Sequence, residues 1–257
     1  MIRYIRLFRN ITNWWLHFGV KFGLTKDDPL IFKAPNNITI EVPRRLLPEF
    51  KEIFMEECYT SGLKLRIPER PTVIDIGANA GFFSAFAASQ FPGAKVFSYE
   101  PIDVNFRQLL RNKAINEDAD ILCFPKAVCG DSGEVELSFD SNDSFTTSAS
   151  VFEKSDIKNE TVKVPCVSLP EIFDEHHIER CDLLKIDCEG SEYGILYKCP
   201  IKYLHRVVQM AMEVHKGTEP DQNIEFLENY LNSHDFKTRR YSNHMLAAWR
   251  IVLLSKT

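Results

Sequence analysis

Apolar positions change their spacing several times along the 257-residue chain, and each change marks an element. Ile2, Ile5, Phe8, Ile11, Trp15, Phe18 and Phe22 recur at helical spacing, which predicts an amphipathic helix within residues 1–26. Pro29–Lys33 and Asn37–Val42 flank Ala34-Pro35-Asn36 as a hairpin, and Pro48–Tyr59 reads as a short helix. From Val73 onward short apolar runs alternate with helical stretches. Strands are predicted at 73–76, 95–99, 121–124, 182–187 and 207–215, and helices at 81–91, 103–116 and 221–234, with a last strand pair at 236–241 and 247–254. This alternation predicts an α/β fold with a doubly wound, mostly parallel sheet whose last strands turn antiparallel. The stiff Ile67-Pro68-Glu69-Arg70-Pro71 segment divides an N-terminal extension (1–68: helix, hairpin, short helix) from the core (69–257). Between a half-exposed strand at 134–139 and a strand at 162–167 lies a polar stretch, Asp140–Glu160, long for a loop in a compact domain; it reads as a lid or a disordered segment.

Composition narrows the classes. A net charge of −5 argues against a nucleic-acid partner, because phosphate binding is carried by Lys and Arg. Seven cysteines without C-x-x-C spacing read as reduced thiols of a cytoplasmic protein and offer no zinc site. Residues 1–26 hold Arg3, Arg6, Arg9, Lys21 and Lys26 with no acid. Their apolar stretch is interrupted by His17 and Lys21, so it is neither a signal peptide nor a membrane span. Packing on the chain's own core or on a second subunit of a homo-oligomer is expected. Membrane contact is the less favoured alternative.

The chemistry concentrates at strand ends. Val73-Ile74-Asp75-Ile76-Gly77-Ala78-Asn79-Ala80-Gly81 is a buried strand ending in an acid, then a glycine turn that opens a helix. Such a turn lets backbone N–H groups approach a ligand. Lys95-Val96-Phe97-Ser98-Tyr99-Glu100-Pro101 puts a second acid at the next strand tip, suited to ribose hydroxyls. The glycines follow Asp75-x-Gly77-x-x-x-Gly81 rather than G-x-G-x-x-G. A carboxylate beside that turn repels a pyrophosphate but suits an ammonium, which favours S-adenosylmethionine over a dinucleotide. Asp75 and the 77–81 backbone are assigned to the methionine end, Glu100 with Pro101 to the ribose, and Ala127 and Val128 to the adenine. Ala78, Asn79 and Phe83 are adjacent.

A third strand, Lys185-Ile186-Asp187-Cys188-Glu189-Gly190-Ser191-Glu192, completes the set. Together with Asp75-Ile76-Gly77-Ala78-Asn79 and Tyr99-Glu100-Pro101 it resembles the FkbM family of S-adenosylmethionine-dependent methyltransferases, over roughly Glu57 to His215. The resemblance implies a Rossmann-like class I methyltransferase sheet and O-methylation of a hydroxyl on a sugar, glycan or other small secondary-metabolite acceptor. Removing the hydroxyl proton needs a base or a metal. His215 and Asp187, with Glu189 beside them, are the candidate catalytic groups. A Mg²⁺ ion held by Asp187, Glu189 and Glu213 is the less favoured alternative. A nucleotide-binding oxidoreductase is disfavoured by the missing third glycine and by the lack of a Tyr-x-x-x-Lys pair. A catalytically silent binding protein is disfavoured by the intact acids at every strand end. Glu192 is expected to cap the following helix.

Overall fold

A computed structural model describes residues 1–140 and 159–251. The single N-terminal helix expected from periodicity is two, α1 (Ile2–Asn10) and α2 (Trp15–Lys21). The break has a local cause. Asn13 Nδ2 donates to the Ile31 carbonyl (2.9 Å), while the Lys33 N–H donates to Asn13 Oδ1 (2.7 Å) and the Thr12 N–H to the Lys33 carbonyl (2.7 Å). These groups satisfy the edge of a hairpin, β1 (Leu30–Lys33) and β2 (Thr39–Val42), instead of a continuing helix. The arginines of α1 face the protein: Arg3 pairs with Glu56, and Arg6 and Arg9 with Glu57. Leu7 and Ile11 are buried, while Ile2, Ile5 and Phe8 remain at least half exposed.

After the hairpin, α3 (Leu47–Lys51) runs into a wider π-type turn, Glu52–Glu56, which ends at Glu57 in the left-handed region (φ 52°). Phe32, Phe50 and Phe54 stack in sequence with ring centroids 4.4 and 4.7 Å apart. Phe54 then meets Phe86 edge-on at 5.3 Å, on helix α4 (Phe82–Gln90). One apolar core therefore runs from the extension to the sheet, and the Pro-rich segment at 67–71 interrupts the sequence pattern without interrupting the packing.

The main sheet has seven strands. In chain order they are β3 (Thr72–Ile76), β4 (Lys95–Tyr99), β5 (Asp120–Phe124), β9 (Leu183–Ile186), β10 (Gln209–Glu213), β11 (Phe236–Arg240) and β12 (Met245–Arg250), lying side by side as β11-β12-β10-β9-β3-β4-β5. Every pair from β10 to β5 is parallel, and β12 alone runs against its neighbours. This is the Rossmann-like class I arrangement expected. Strands β6 (Ala127–Cys129), β7 (Gly133–Asp140) and β8 (Asn159–Ser168) form a separate sheet in the order β6-β8-β7. The polar stretch expected as a lid lies, at 141–158, outside the described residues. Helices α5 (Asp103–Ile115), α6 (Leu169–Glu175), α7 (Glu192–Tyr197), α8 (Ile201–Leu204) and α9 (Ile224–Ser233) connect the strands. Among the described residues no helix is long and apolar enough to cross a membrane.

Candidate active site

The site gathers at the carboxyl ends of β3, β4, β9 and β10, where parallel strands leave a crevice. Gly77 leaves β3 with φ 72°, and both its N–H and that of Ala78 donate to the Tyr99 carbonyl (3.0 and 2.9 Å). A Cβ on Gly77 would stand 1.7 Å from the Asp187 carbonyl oxygen. The glycine is thus required because two strand ends pack against each other there, rather than to clear room for a ligand, as its motif suggests. Asn79 also sits in the left-handed region (φ 48°), and its N–H donates to Glu100 Oε2 (2.8 Å). The other oxygen of Glu100 accepts the Ile102 N–H (2.8 Å). Burial pushes this carboxyl up to about 7, against the two amides that favour its charge.

Asp75 is not at the ligand face. Its side chain is fully buried, accepts from Ser84 Oγ (2.6 Å) and pairs with Lys185 Nζ (3.2 Å). Lys185 stands opposite it in the β3–β9 register. The same Nζ donates to the carbonyls of Gly77 (2.6 Å) and Ile76 (3.2 Å) and lies 3.7 Å from Asp187 Oδ2. Burial opposes the lysine's charge, but Asp75 and Asp187 outweigh it and hold the lysine above its ordinary value. The methionine-side role assigned to Asp75 is therefore replaced by a structural one: it anchors a buried cation beneath the glycine turn.

Asp187 faces open space and receives the Tyr59 hydroxyl at 2.6 Å, a contact that brings the extension into the site. His215, expected as a base, lies on neither cavity wall described below. Its Nδ1 meets the fully buried Glu192 at 2.6 Å, and its Nε2 lies 3.7 Å from Glu189 and 3.9 Å from Glu213. Burial disfavours the imidazolium, but the hydrogen bond and charge of Glu192, with Glu189 and Asp187, raise it to about 9. At neutral pH His215 therefore carries its proton and cannot accept another. Glu192, in turn, binds this imidazolium instead of capping α7.

The pair has a consequence for stability. Because the folded value is raised above that of the unfolded histidine, the stabilisation is complete below about pH 6.5 and is lost as pH rises through 9. Unfolding followed in urea is expected to lose roughly 3 kcal/mol across that window in the wild type. The same slope should be missing in His215→Ala; an unchanged slope would place the titrating group elsewhere.

Two cavities adjoin. The first is walled by Gly77, Asn79, Glu100, Pro101, Ala127 and Val128 from the expected cofactor set, with Asp187 and Glu189. Ile76, Tyr99, Ile102, Asn105, Leu137, Cys188 and Ser191 complete it and were not anticipated as site residues. The second lies toward the extension and is lined by Glu49, Glu52, Cys58, Tyr59, Ala78, Phe82, Phe83, Lys185 and Glu213, among others. Ala78 and Phe83 thus face only the second cavity, and Gly81 faces neither; its φ of 82° starts α4, where a Cβ would lie 2.5 Å from Leu109 Cδ1. Gly77, Asn79, Asp187 and Glu189 belong to both walls. Among the described residues no group of three or more His, Cys, Asp or Glu side chains converges as metal ligands.

The strand order, the glycine turn and the acid at each strand tip can be set against known proteins. The methyltransferase FkbM domain matches residues 75–238. The chain belongs to the FkbM methyltransferase family. Methyltransferase sdnD of Sordaria araneosa is 30% identical over 177 residues, covering 57% of this chain and 66% of its own length. The 31-O-demethyl-FK506 methyltransferase FkbM of Streptomyces tacrolimicus is 27% identical over 192 residues, covering 65% of this chain and 73% of its own. The crystal structure of an FkbM methyltransferase from Methylobacillus flagellatus KT superposes with a TM-score of 0.52 at 16% identity, over 80% of this chain and 54% of that one, and shows the shared fold. Membership makes S-adenosylmethionine the methyl donor and leaves the dinucleotide alternative without support.

Proposed function

We propose that this FkbM methyltransferase transfers a methyl group from S-adenosylmethionine in the first cavity to a hydroxyl of a small molecule in the second. The observation that carries the reading is the shared wall: Gly77, Asn79, Asp187 and Glu189 border both spaces, so a donor on one side and an acceptor on the other meet along one edge. The residues present fit the donor. The buried Asn79 Oδ1 has no hydrogen-bond partner and suits the amino-acid ammonium, which Asp75 is turned away from meeting. A carboxylate accepts about four hydrogen bonds, so Glu100, which takes two backbone amides and the Asn105 side chain, retains capacity for a ribose hydroxyl. Ile102, Ala127, Val128 and Leu137 supply the apolar walls for the adenine.

S-adenosylmethionine, when bound, supplies a methyl already activated on a sulfonium. The protein's remaining tasks are alignment and removal of the hydroxyl proton. Glu213, on the second cavity's wall, suits the second task. Burial, and then repulsion from Asp187, push its carboxyl up to about 7, where a base is both ionised and proton-affine. Asp187, oriented by Tyr59 and Lys185, borders the transfer edge. His215 holds Glu189 and Glu192 from behind as a positioning residue. The name of the Streptomyces relative, which specifies an O-demethyl compound, supports a hydroxyl as the acceptor group; a sugar, glycan or secondary metabolite carrying one is the proposed class.

Calorimetric titration with S-adenosylhomocysteine tests the cofactor half. Glu100→Ala is expected to weaken binding by about 1–3 kcal/mol through lost ribose hydrogen bonds. Affinity equal to wild type in a folded Glu100→Ala protein would move the ribose elsewhere.

A further inference from the structure

The second cavity differs from the first in charge. Glu49 and Glu52 of the extension face it together with Asp187, Glu189 and Glu213 of the sheet, and Lys185 is the one cation among its described lining residues. That lysine is already committed to Asp75, Asp187 and two backbone carbonyls. Glu49 Oε2 is buried and has no hydrogen-bond partner. The crowding is also visible in Glu52, whose carboxyl is raised by burial and by the neighbouring Glu49, Glu56 and Asp187, against the charge of Arg3, which pairs with Glu56. The enclosed space, about 260 Å³, suits a small acceptor rather than a drug-sized one. An anionic acceptor entering it would meet like charge, because the cations at this wall, Lys185 and the His215 imidazolium behind it, are already paired with carboxylates. The Phe82 ring lines the same space and adds attraction for a cation, as the Tyr59 ring already does for Lys185 Nζ, 5.0 Å from its centroid.

Taking the methyl-transfer reading above as its basis, we propose that the acceptor carries a protonated amine in addition to its hydroxyl, and that Glu49 and Glu52 recognise that amine. The chemistry is consistent within one molecule. The S–CH₃ bond breaks and an O–CH₃ bond forms, and the hydroxyl proton passes to Glu213. The ammonium nitrogen has no free electron pair and so does not compete for the methyl. Recognition at Glu49 and Glu52 holds the amine on the extension side and leaves the hydroxyl at the edge bordered by Asn79 and Asp187.

The test uses three linear compounds of equal length, an amino alcohol, a diol and a hydroxy acid, titrated into the protein saturated with S-adenosylhomocysteine and followed by ligand-observed NMR. The amino alcohol is expected to bind at least about 10-fold more tightly than the diol, with the hydroxy acid weakest. In the Glu49→Gln, Glu52→Gln double variant the amino alcohol should fall to the level of the diol while S-adenosylhomocysteine binds as before, which also reports that the variant is folded. In the wild type alone, added salt should weaken the amino alcohol and spare the diol. Equal binding of diol and amino alcohol, a preference that survives the double variant, or no binding by any of the three overturns the proposal. Failure of the wild type to bind S-adenosylhomocysteine overturns the methyl-transfer reading instead.

Discussion

Glu213→Gln is expected to lower kcat by about 10²–10⁴-fold while leaving S-adenosylhomocysteine affinity unchanged. Glu213 stands on the wall of the second cavity only, so its loss removes no cofactor contact. The pH profile discriminates between a base and a structural acid. A base works ionised, so with a carboxyl raised to about 7 the wild-type rate should climb as pH approaches 7 and then level off. The glutamine variant should retain a low rate with no such limb. Its geometry is nearly that of glutamate, so a folded protein is expected, and circular dichroism would verify it. Wild-type turnover in Glu213→Gln would remove it as the base and leave Asp187, at the transfer edge, as the next group to test.

Lys185→Met is expected to destabilise the fold by about 3–5 kcal/mol, because it leaves the fully buried Asp75 without its cation. That is a large share of the 5–15 kcal/mol that typically separates folded from unfolded states. Ser84 remains as a hydrogen-bond donor to Asp75 but neutralises nothing. Replacing both members of the pair, as in Asp75→Leu with Lys185→Met, should recover much of the loss, since an apolar pair of similar volume carries no desolvation cost. Urea unfolding midpoints of the two single variants and the double variant measure this directly. A Lys185→Met protein as stable as wild type would mean that Asp75 does not depend on the lysine.

These two residues also show where reading a chain in order succeeds and where it stops. The strands were legible because their apolar runs are local, and β3, β4 and β9 lie within a residue or two of their expected bounds. The site acids were legible as strand tips for the same reason. Their partners were not. Asp75 looks like a ligand contact until Lys185, more than a hundred residues away, is seen opposite it in the sheet register. A lysine inside an otherwise apolar strand was the available signal, since such a residue is buried only when paired. His215 likewise reads as a base at a strand end, and only the folded position of Glu192 turns it into a fixed imidazolium. The split of the first helix depends on Asn13 finding a strand edge about twenty residues ahead. Tyr59, Glu49 and Glu52 carry no motif at all; they enter the site because an aromatic stack carries the extension onto the sheet.

That last arrangement separates two inheritances within one chain. The groups lining the first cavity come from the sheet and from the turns and strands after it, whereas the extension's contribution to the second comes from one contiguous stretch, Pro48 to Tyr59. On the reading proposed above, exchanging Pro48 to Cys58 between relatives, with Tyr59 kept for its hydrogen bond to Asp187, would alter what is methylated while sparing the first cavity. A lineage could in this way acquire new substrates by drift in a single short segment, and a laboratory could follow the same route with a small library.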